Sequence, residues 1–188
     1  MLQATPGPPR IIRAVSVDTL VRALDVCAAQ GSTVELDGRL ITIRIGAARR
    51  LLIAGLSPVA EFCASFAVSL GYEVIVCDPR TELLAGFDLE GVNVIEQLPA
   101  TFIANGGCHA STAVVALTHD PRLDDLTLLE AVRTTAFYIG AMGSQRTSEK
   151  RLERVRRIGG LDDEAIERIS APVGLRLGSK TPAEIALA

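Results

Sequence analysis

Four stretches of the 188-residue chain carry residue types that do chemistry. His119 stands beside Asp120 in "VVALTHDPR", and an imidazole next to a carboxylate can move a proton or ligate a metal. It is the candidate catalytic residue, although a histidine at a strand end serves as readily as a hydrogen-bonded structural group. Gly140, Gly143 and Ser144, followed by Arg146 in "YIGAMGSQR", suit an anion: glycines free the backbone, Ser144 can cap a helix, and Arg146 adds charge. The same residues also suit an ordinary turn from strand to helix. In "ANGGCHAST" a thiol, Cys108, adjoins the imidazole of His109. Neighbours in an extended chain face opposite ways, so mutual activation is weak, and a soft metal such as molybdenum or copper is the remaining use.

The fourth stretch, "LLIAGLSPVAEFCASFAVSLGYEVIVCDPR" at 51 to 80, has the order of a dinucleotide-binding unit. Such a unit needs a first glycine for the tight turn, a second for backbone approach to the pyrophosphate, and a third small residue for helix packing. Those places hold Gly55, Ser57 and Ala60, and Asp78 follows at the end of the next apolar run, where a carboxylate could accept from ribose hydroxyls. Ser57 puts a Cβ where bare backbone is expected. Its hydroxyl can instead cap a helix that begins at Pro58 and Val59, since proline at the first position gives up an N–H that would have no partner. A working nucleotide site and a fold kept without one are both compatible with this pattern. Asp78 can equally cap the "DPR" turn and pair with Arg80.

These residues need a scaffold that brings them together. From Leu51 onward short apolar runs at 51–55, 73–77, 92–95, 113–118 and 136–140 alternate with helical stretches at 58–70, 123–134, 146–158 and 162–170. That alternation predicts an α/β fold, a Rossmann-like parallel sheet with helices on both faces. In a parallel sheet every strand ends on one side, so the loops carrying Gly55, Thr118 to Asp120 and Gly143 should meet in one crevice. Ahead of it, 1–50 reads as a small strand, helix and hairpin segment. "IIRAVSV" at 11–17 suits a strand, 19–30 suits a helix after Asp18, and "STVELDGRLITIRIG" alternates around the turn pair Asp37-Gly38. The expected domains are 1–50 and 51–188.

Composition narrows the function. The chain is 48% hydrophobic, 22% charged and 4% aromatic, with net charge −3, as expected for a soluble protein with an aliphatic core. "KRLERVRR" at 150–157 follows helical spacing and reads as a solvated face, so nucleic acid is not an expected partner. Cys27, Cys63, Cys77 and Cys108 form no C-x-x-C pair, so neither a disulfide framework nor a metal ligand set is assigned. No apolar run approaches the roughly 18 residues of a membrane span, and a cytoplasmic location is expected.

The segments "LLIAGLSPVAE", "VIVCDPR", "VVALTHDPRLDD", "FYIGAMGSQRTSEKRLERV" and "APVGLRLGSKTPAEIA", in this order, resemble the Rossmann-type C-terminal domain of the XdhC/CoxI family. These are accessory proteins for maturing molybdenum hydroxylases such as xanthine and carbon monoxide dehydrogenases. The resemblance covers about residues 50 to 188. It implies a non-enzymatic protein that binds molybdenum cofactor, or a nucleotide, and works with a hydroxylase and the cofactor sulfuration machinery. It also implies a binding loop Gly55 to Ala60 with Asp78, a polar crevice of Thr118, His119, Asp120, Gly140, Gly143 and Ser144, and a terminal loop of Gly174, Gly178, Lys180 and Thr181. Members usually carry a separate N-terminal domain where this chain has its short preamble, so delivery of the cofactor would either need a partner chain or not occur. Ser57 replaces the family's usual glycine. The alternative function is an NAD(P)-dependent oxidoreductase with His119 as proton donor, in which Asp78 would favour NAD by repelling a 2′-phosphate. A homodimeric adaptor pairing through helix 58–70 or the hairpin edge is a further possibility.

Overall fold

The structure is a computed structural model that describes residues 34–37, 40–43 and 49–188. The chain falls into two units, Met1–Ala48 and Arg49–Ala188. In the first, β1 (Val34–Asp37) and β2 (Leu40–Ile43) pair antiparallel with Asp37 opposite Leu40, the hairpin expected around Asp37-Gly38. The expected strand at 11–17 and helix at 19–30 lie outside the described residues.

The second unit is a six-stranded parallel sheet. Its strands are β3 (Arg50–Ala54), β4 (Glu73–Cys77), β5 (Val92–Ile95), β6 (Thr112–Ala116), β7 (Tyr138–Ala141) and β8 (Ile169–Ser170). The spatial order is β5-β4-β3-β6-β7-β8, the 3-2-1-4-5-6 order of the doubly wound fold. The helices are α1 (Pro58–Ser69), α2 (Thr81–Leu84), α3 (Pro99–Phe102), α4 (Pro121–Ala131), α5 (Gln145–Gly159), α6 (Asp163–Glu167) and α7 (Pro182–Leu187). None of the described helices is long and apolar enough to cross a membrane.

Both faces of the sheet are covered, which is why its central strands are almost continuously apolar. Successive side chains alternate between faces. Leu51 and Ile53 of β3 join Val74, Val76 and Val115 beneath Ala60, Ala64 and Ala67 of α1. Leu52 points the other way, with Ile75, Val114 and Ile139, against Leu128 and Leu129 of α4 and Val155 of α5. The alanines on α1 let that helix sit close to the strands, and α7 packs against α1, with Ala186 against the same core cluster.

One expectation is corrected here. Residues 162–170 are not one helix: α6 stops at Glu167, and Ile169–Ser170 pair with Ile139 and Gly140 as the sixth strand. Two residues are too short to show any periodicity, and the run before them is helical. The short helices α2, α3 and α7 were also outside the expected set.

Leu128 is fully buried between α4 and the sheet. Leu128→Ala is expected to cost about 2–5 kcal/mol, as large-to-small core changes do. Urea denaturation measures it, and a loss below about 0.5 kcal/mol, the range of surface substitutions, would contradict this packing.

Candidate functional site

The chain leaves β3 toward β4 on one side and returns through β6 on the other, so the crevice of this fold opens above β3 and β6. The backbone ladder continues past the strand ends there. Gly55 N–H donates to Cys77 O at 2.9 Å, Leu117 N–H to Ala54 O at 2.9 Å, Met142 N–H to Ala116 O at 3.0 Å, and Val173 N–H to Ala141 O at 2.9 Å. The loops after β3, β4, β6 and β7 and the terminal loop therefore stand side by side along one edge.

Gly55 has φ +96°, and a Cβ there would lie 2.1 Å from Thr118 Cγ2. The loops after β3 and β6 are thus in direct contact, and glycine is required for both reasons. Ser57 is different. Its backbone is extended, φ −156° and ψ 165°, so no glycine is needed for conformation. Its Oγ accepts from Ala60 N–H at 3.2 Å and caps α1, with Pro58 at the first turn. Among the first-turn N–H groups of α1, Glu61 donates to Ser57 O, which leaves Val59 without an intrahelical acceptor.

Asp78 is wholly buried, and its carboxylate faces into the protein. Oδ2 accepts from Leu56 N–H at 2.7 Å and Arg80 Nη2 at 2.6 Å; Oδ1 accepts from Arg80 N–H at 2.9 Å and Arg80 Nε at 2.8 Å. Burial alone would raise its pKa, but the Arg80 side chain, the two backbone N–H groups and the Arg80 charge hold it below the usual carboxylate range. Arg80 is pushed up in turn, chiefly by its hydrogen bond to Asp78, with smaller contributions from Glu82 and Asp120.

Thr118 is buried and donates from Oγ1 to Asp124 Oδ1 at 2.6 Å while accepting Asp120 N–H at 2.9 Å. His119 follows with φ +62°, the left-handed region, and an exposed side chain. Asp120 caps α4 by accepting Arg122 N–H at 2.9 Å. Gly143 and Ser144 are exposed at the start of α5, where Ser144 Oγ accepts Thr147 N–H at 3.2 Å. Gln145 and Arg146, the first two residues of α5, have no intrahelical acceptor for their N–H groups. Gly140 lies deeper. It is a buried residue of β7 where a Cβ would stand 2.8 Å from Val173 Cγ2, so its small size serves packing rather than the loop.

The terminal loop closes this end of the crevice. A cavity of about 360 Å³ is bounded by Gly143 and Gln145 on one side and by Val173, Gly174, Arg176 and Gly178 on the other. Arg176 Nη2 donates to Gln145 Oε1 at 2.8 Å across it. Lys180 and Thr181 enter the capping box of α7, where both backbone N–H groups donate to Glu184.

Residues not singled out from the sequence hold these loops in place. Arg151 of α5 is nearly fully buried and donates from Nη2 to Asp124 Oδ2 at 2.9 Å and from Nη1 to Met142 O at 2.7 Å. It joins the loop after β6, through Thr118 and Asp124, to the loop after β7. The solvated-face expectation for 150–157 is therefore corrected at Arg151, and Arg154 also pairs, with Asp125 of α4. The partners are 27 residues apart in the chain, so no local sequence signal marks Arg151 as the buried member of its run.

Cys108 and His109 are not part of the crevice. They precede β6 and so sit at the opposite edge of the sheet, beside Gly107, whose carbonyl accepts from Arg50 Nη1. Burial pushes the Cys108 thiol up to about 11, and burial together with the Asp78 charge pushes the Cys77 thiol up to about 12, so neither is an activated thiolate at neutral pH. Among the described residues no group of three or more His, Cys, Asp or Glu could hold a metal ion.

The strand order and the loop crevice define a Rossmann-type domain. Residues 51–188 match the XdhC Rossmann domain, and the chain belongs to that family. It is 35% identical over 127 residues to the molybdenum cofactor insertion chaperone PaoD of Escherichia coli K12, covering 67% of this chain and 33% of PaoD. A crystal structure of a xanthine dehydrogenase from Bacillus halodurans shares the fold with a TM-score of 0.64 at 24% identity, over 81% of this chain and 45% of that one. The chain thus spans about a third of the first of these proteins and under half of the second.

Two outcomes test this site's construction. Arg151→Ala, which strands Asp124 in the interior, is expected to cost about 3–5 kcal/mol, and the double variant Asp124→Leu, Arg151→Met less than that, by urea denaturation. A double variant costing as much as the single would refute an uncompensated charge as the cause. For Asp78 the native pKa lies below the unfolded one, so the native state holds fewer protons. Its contribution is fully present above the unfolded value of about 3.9 and is lost as pH falls through the depressed native value. Asp78→Asn is expected to be less stable at neutral pH and to lose less stability in acid than the native chain. Parallel acid limbs would contradict it.

Proposed function

We propose that this domain is a non-catalytic accessory module for the maturation of molybdenum enzymes, binding the pterin cofactor at the C-terminal edge of its sheet for transfer to a hydroxylase. The observation that carries this reading is the open end of α5, with two N–H groups free of intrahelical acceptors, beside Arg176 and a cavity of about 360 Å³. A helix N-terminus with an adjacent guanidinium suits a phosphate, and the volume lies at the lower end of the range for small-ligand sites. Membership of the XdhC family and the likeness to an insertion chaperone support the choice of ligand.

The chain's own residues fit that group. Gln145 and Arg146 N–H with Arg176 would hold the phosphate, and Gly143 leaves the approach open. The cofactor, when bound, supplies the metal chemistry of the enzyme that receives it. The exposed loop leaves the ligand reachable by a second protein, as hand-over to a hydroxylase or to sulfuration machinery requires. His119, exposed on the neighbouring loop after β6, is a candidate contact residue with no proton transfer assigned to it.

Anaerobic titration of the purified chain with molybdopterin, followed by quenching of pterin fluorescence, tests the reading. Saturable binding is expected, and Arg176→Ala should weaken it about tenfold, the loss of one charge-assisted hydrogen bond of about 1.5 kcal/mol. No saturable binding by the native chain would overturn it.

A further inference from the structure

In dinucleotide-binding folds the acidic residue at the end of the second strand reads the adenosine ribose by accepting from its hydroxyls. Asp78 stands at that place, at the end of β4, with a different set of partners. A carboxylate has about four acceptor positions. Each oxygen of Asp78 already takes two donors, Leu56 N–H and Arg80 Nη2 on one side, Arg80 N–H and Nε on the other. It is 0% exposed, while the Arg80 side chain above it is 32% exposed. A ribose would therefore meet Arg80, not Asp78.

Arg80 spends Nε and Nη2 on Asp78, with a long contact from Nη2 to Leu56 O at 3.4 Å, and among the described residues its Nη1 has no hydrogen-bond partner. The β4 end of the crevice thus presents a donor where a dinucleotide needs an acceptor.

We propose that Asp78 and Arg80 form a specificity latch: Asp78 positions the Gly55 loop through Leu56, and Arg80, by covering it, keeps the carboxylate from reading a ribose diol, so that the crevice rejects dinucleotides that depend on that contact. The rejection of a ribose diol stands on the latch alone and does not depend on the proposed function. Leu56 and Ser57 are themselves buried, so Asp78 fixes the loop after β3 from inside the protein. Asp78 is a positioning residue and Arg80 a selecting one.

Calorimetric titrations with ADP-ribose and with its 2′-deoxy analogue test the latch in the native chain, Arg80→Ala and Asp78→Asn. A site whose carboxylate reads the hydroxyl discriminates by far more than about tenfold between the two. The native chain is expected to show no preference above about threefold, or no binding of either, because the acceptor is covered. Arg80→Ala uncovers the carboxylate and should bind ADP-ribose about tenfold more tightly than the native chain does, a gain that a merely structural arginine would not give. Arg80→Gln, which removes the charge with less loss of packing, provides the same readout should the alanine variant fail to fold. A native preference of tenfold or more that Asp78→Asn abolishes would overturn the latch, as would folded Arg80 variants that bind ADP-ribose no better than the native chain. The molybdopterin titration is independent: a diol preference with pterin binding retained defeats the latch alone, and no pterin binding with ADP-ribose still rejected defeats the proposed function alone.

Discussion

The buried contact between Asp124 and Arg151 is the constraint on which the crevice depends. Two ionisable side chains, 1% and 3% exposed, face each other at 2.9 Å in the interior. Burial raises the Asp124 pKa, against the pull of the Thr118 hydroxyl and the Arg151 charge. Desolvation of such a pair often cancels its attraction, so its value lies less in net stability than in the single arrangement it permits. That arrangement fixes Thr118 through two hydrogen bonds and Met142 through its carbonyl, and these residues begin the loops after β6 and β7. Thr118 in turn lies against Gly55. One buried pair thereby sets the spacing of three loops.

Around this frame the polar groups of the edge are unevenly committed. Leu56 N–H is taken by Asp78, Pro58 has no N–H, and Ala60 N–H is taken by Ser57, so the helix after β3 has little left for an anion. Its place in a dinucleotide fold is that of the pyrophosphate cradle. The helix after β7 keeps two free first-turn N–H groups and has an arginine and a cavity beside it. Phosphate recognition has a better physical basis at α5 than at α1, so the proposed phosphate contact lies on the other side of the switch point. Substitution of glycine by Ser57 is part of this shift, because its hydroxyl takes up a donor that a cradle would keep free.

Much of this was legible in the chain. The apolar runs that became β3 to β7 and the turn pair of the hairpin have strong local causes, and the helix starts at Ser57-Pro58, Asp120-Pro121 and Ser144 carry their own caps. The gathering of Gly55, Thr118 and Gly143 follows from strand direction alone. What escaped was set by tertiary contact. Arg151 sits in a basic run that is otherwise mostly exposed, and no local pattern says that this one arginine turns inward to Asp124. Ile169 and Ser170 form a strand because β7 offers them a free edge, which two residues cannot announce. The terminal loop was known from resemblance, but its closure against Gly143 and Gln145 depends on Val173 extending the ladder from Ala141.

Asp78 shows why residue type and position in a motif do not by themselves assign a ligand. The sequence spacing places a carboxylate at the strand end, and the fold delivers it there. Whether it meets solvent is decided by a residue two positions on, since Arg80 can fold back over it with both a backbone and a side-chain donor. Once covered, the carboxylate contributes to the loop's position and to the charge balance of the arginine, while the face offered to a ligand reverses from acceptor to donor. The same Rossmann scaffold can therefore keep its glycine, its acidic residue and its switch point and yet recognise a different molecule, because recognition follows the last unsatisfied polar group rather than the motif beneath it.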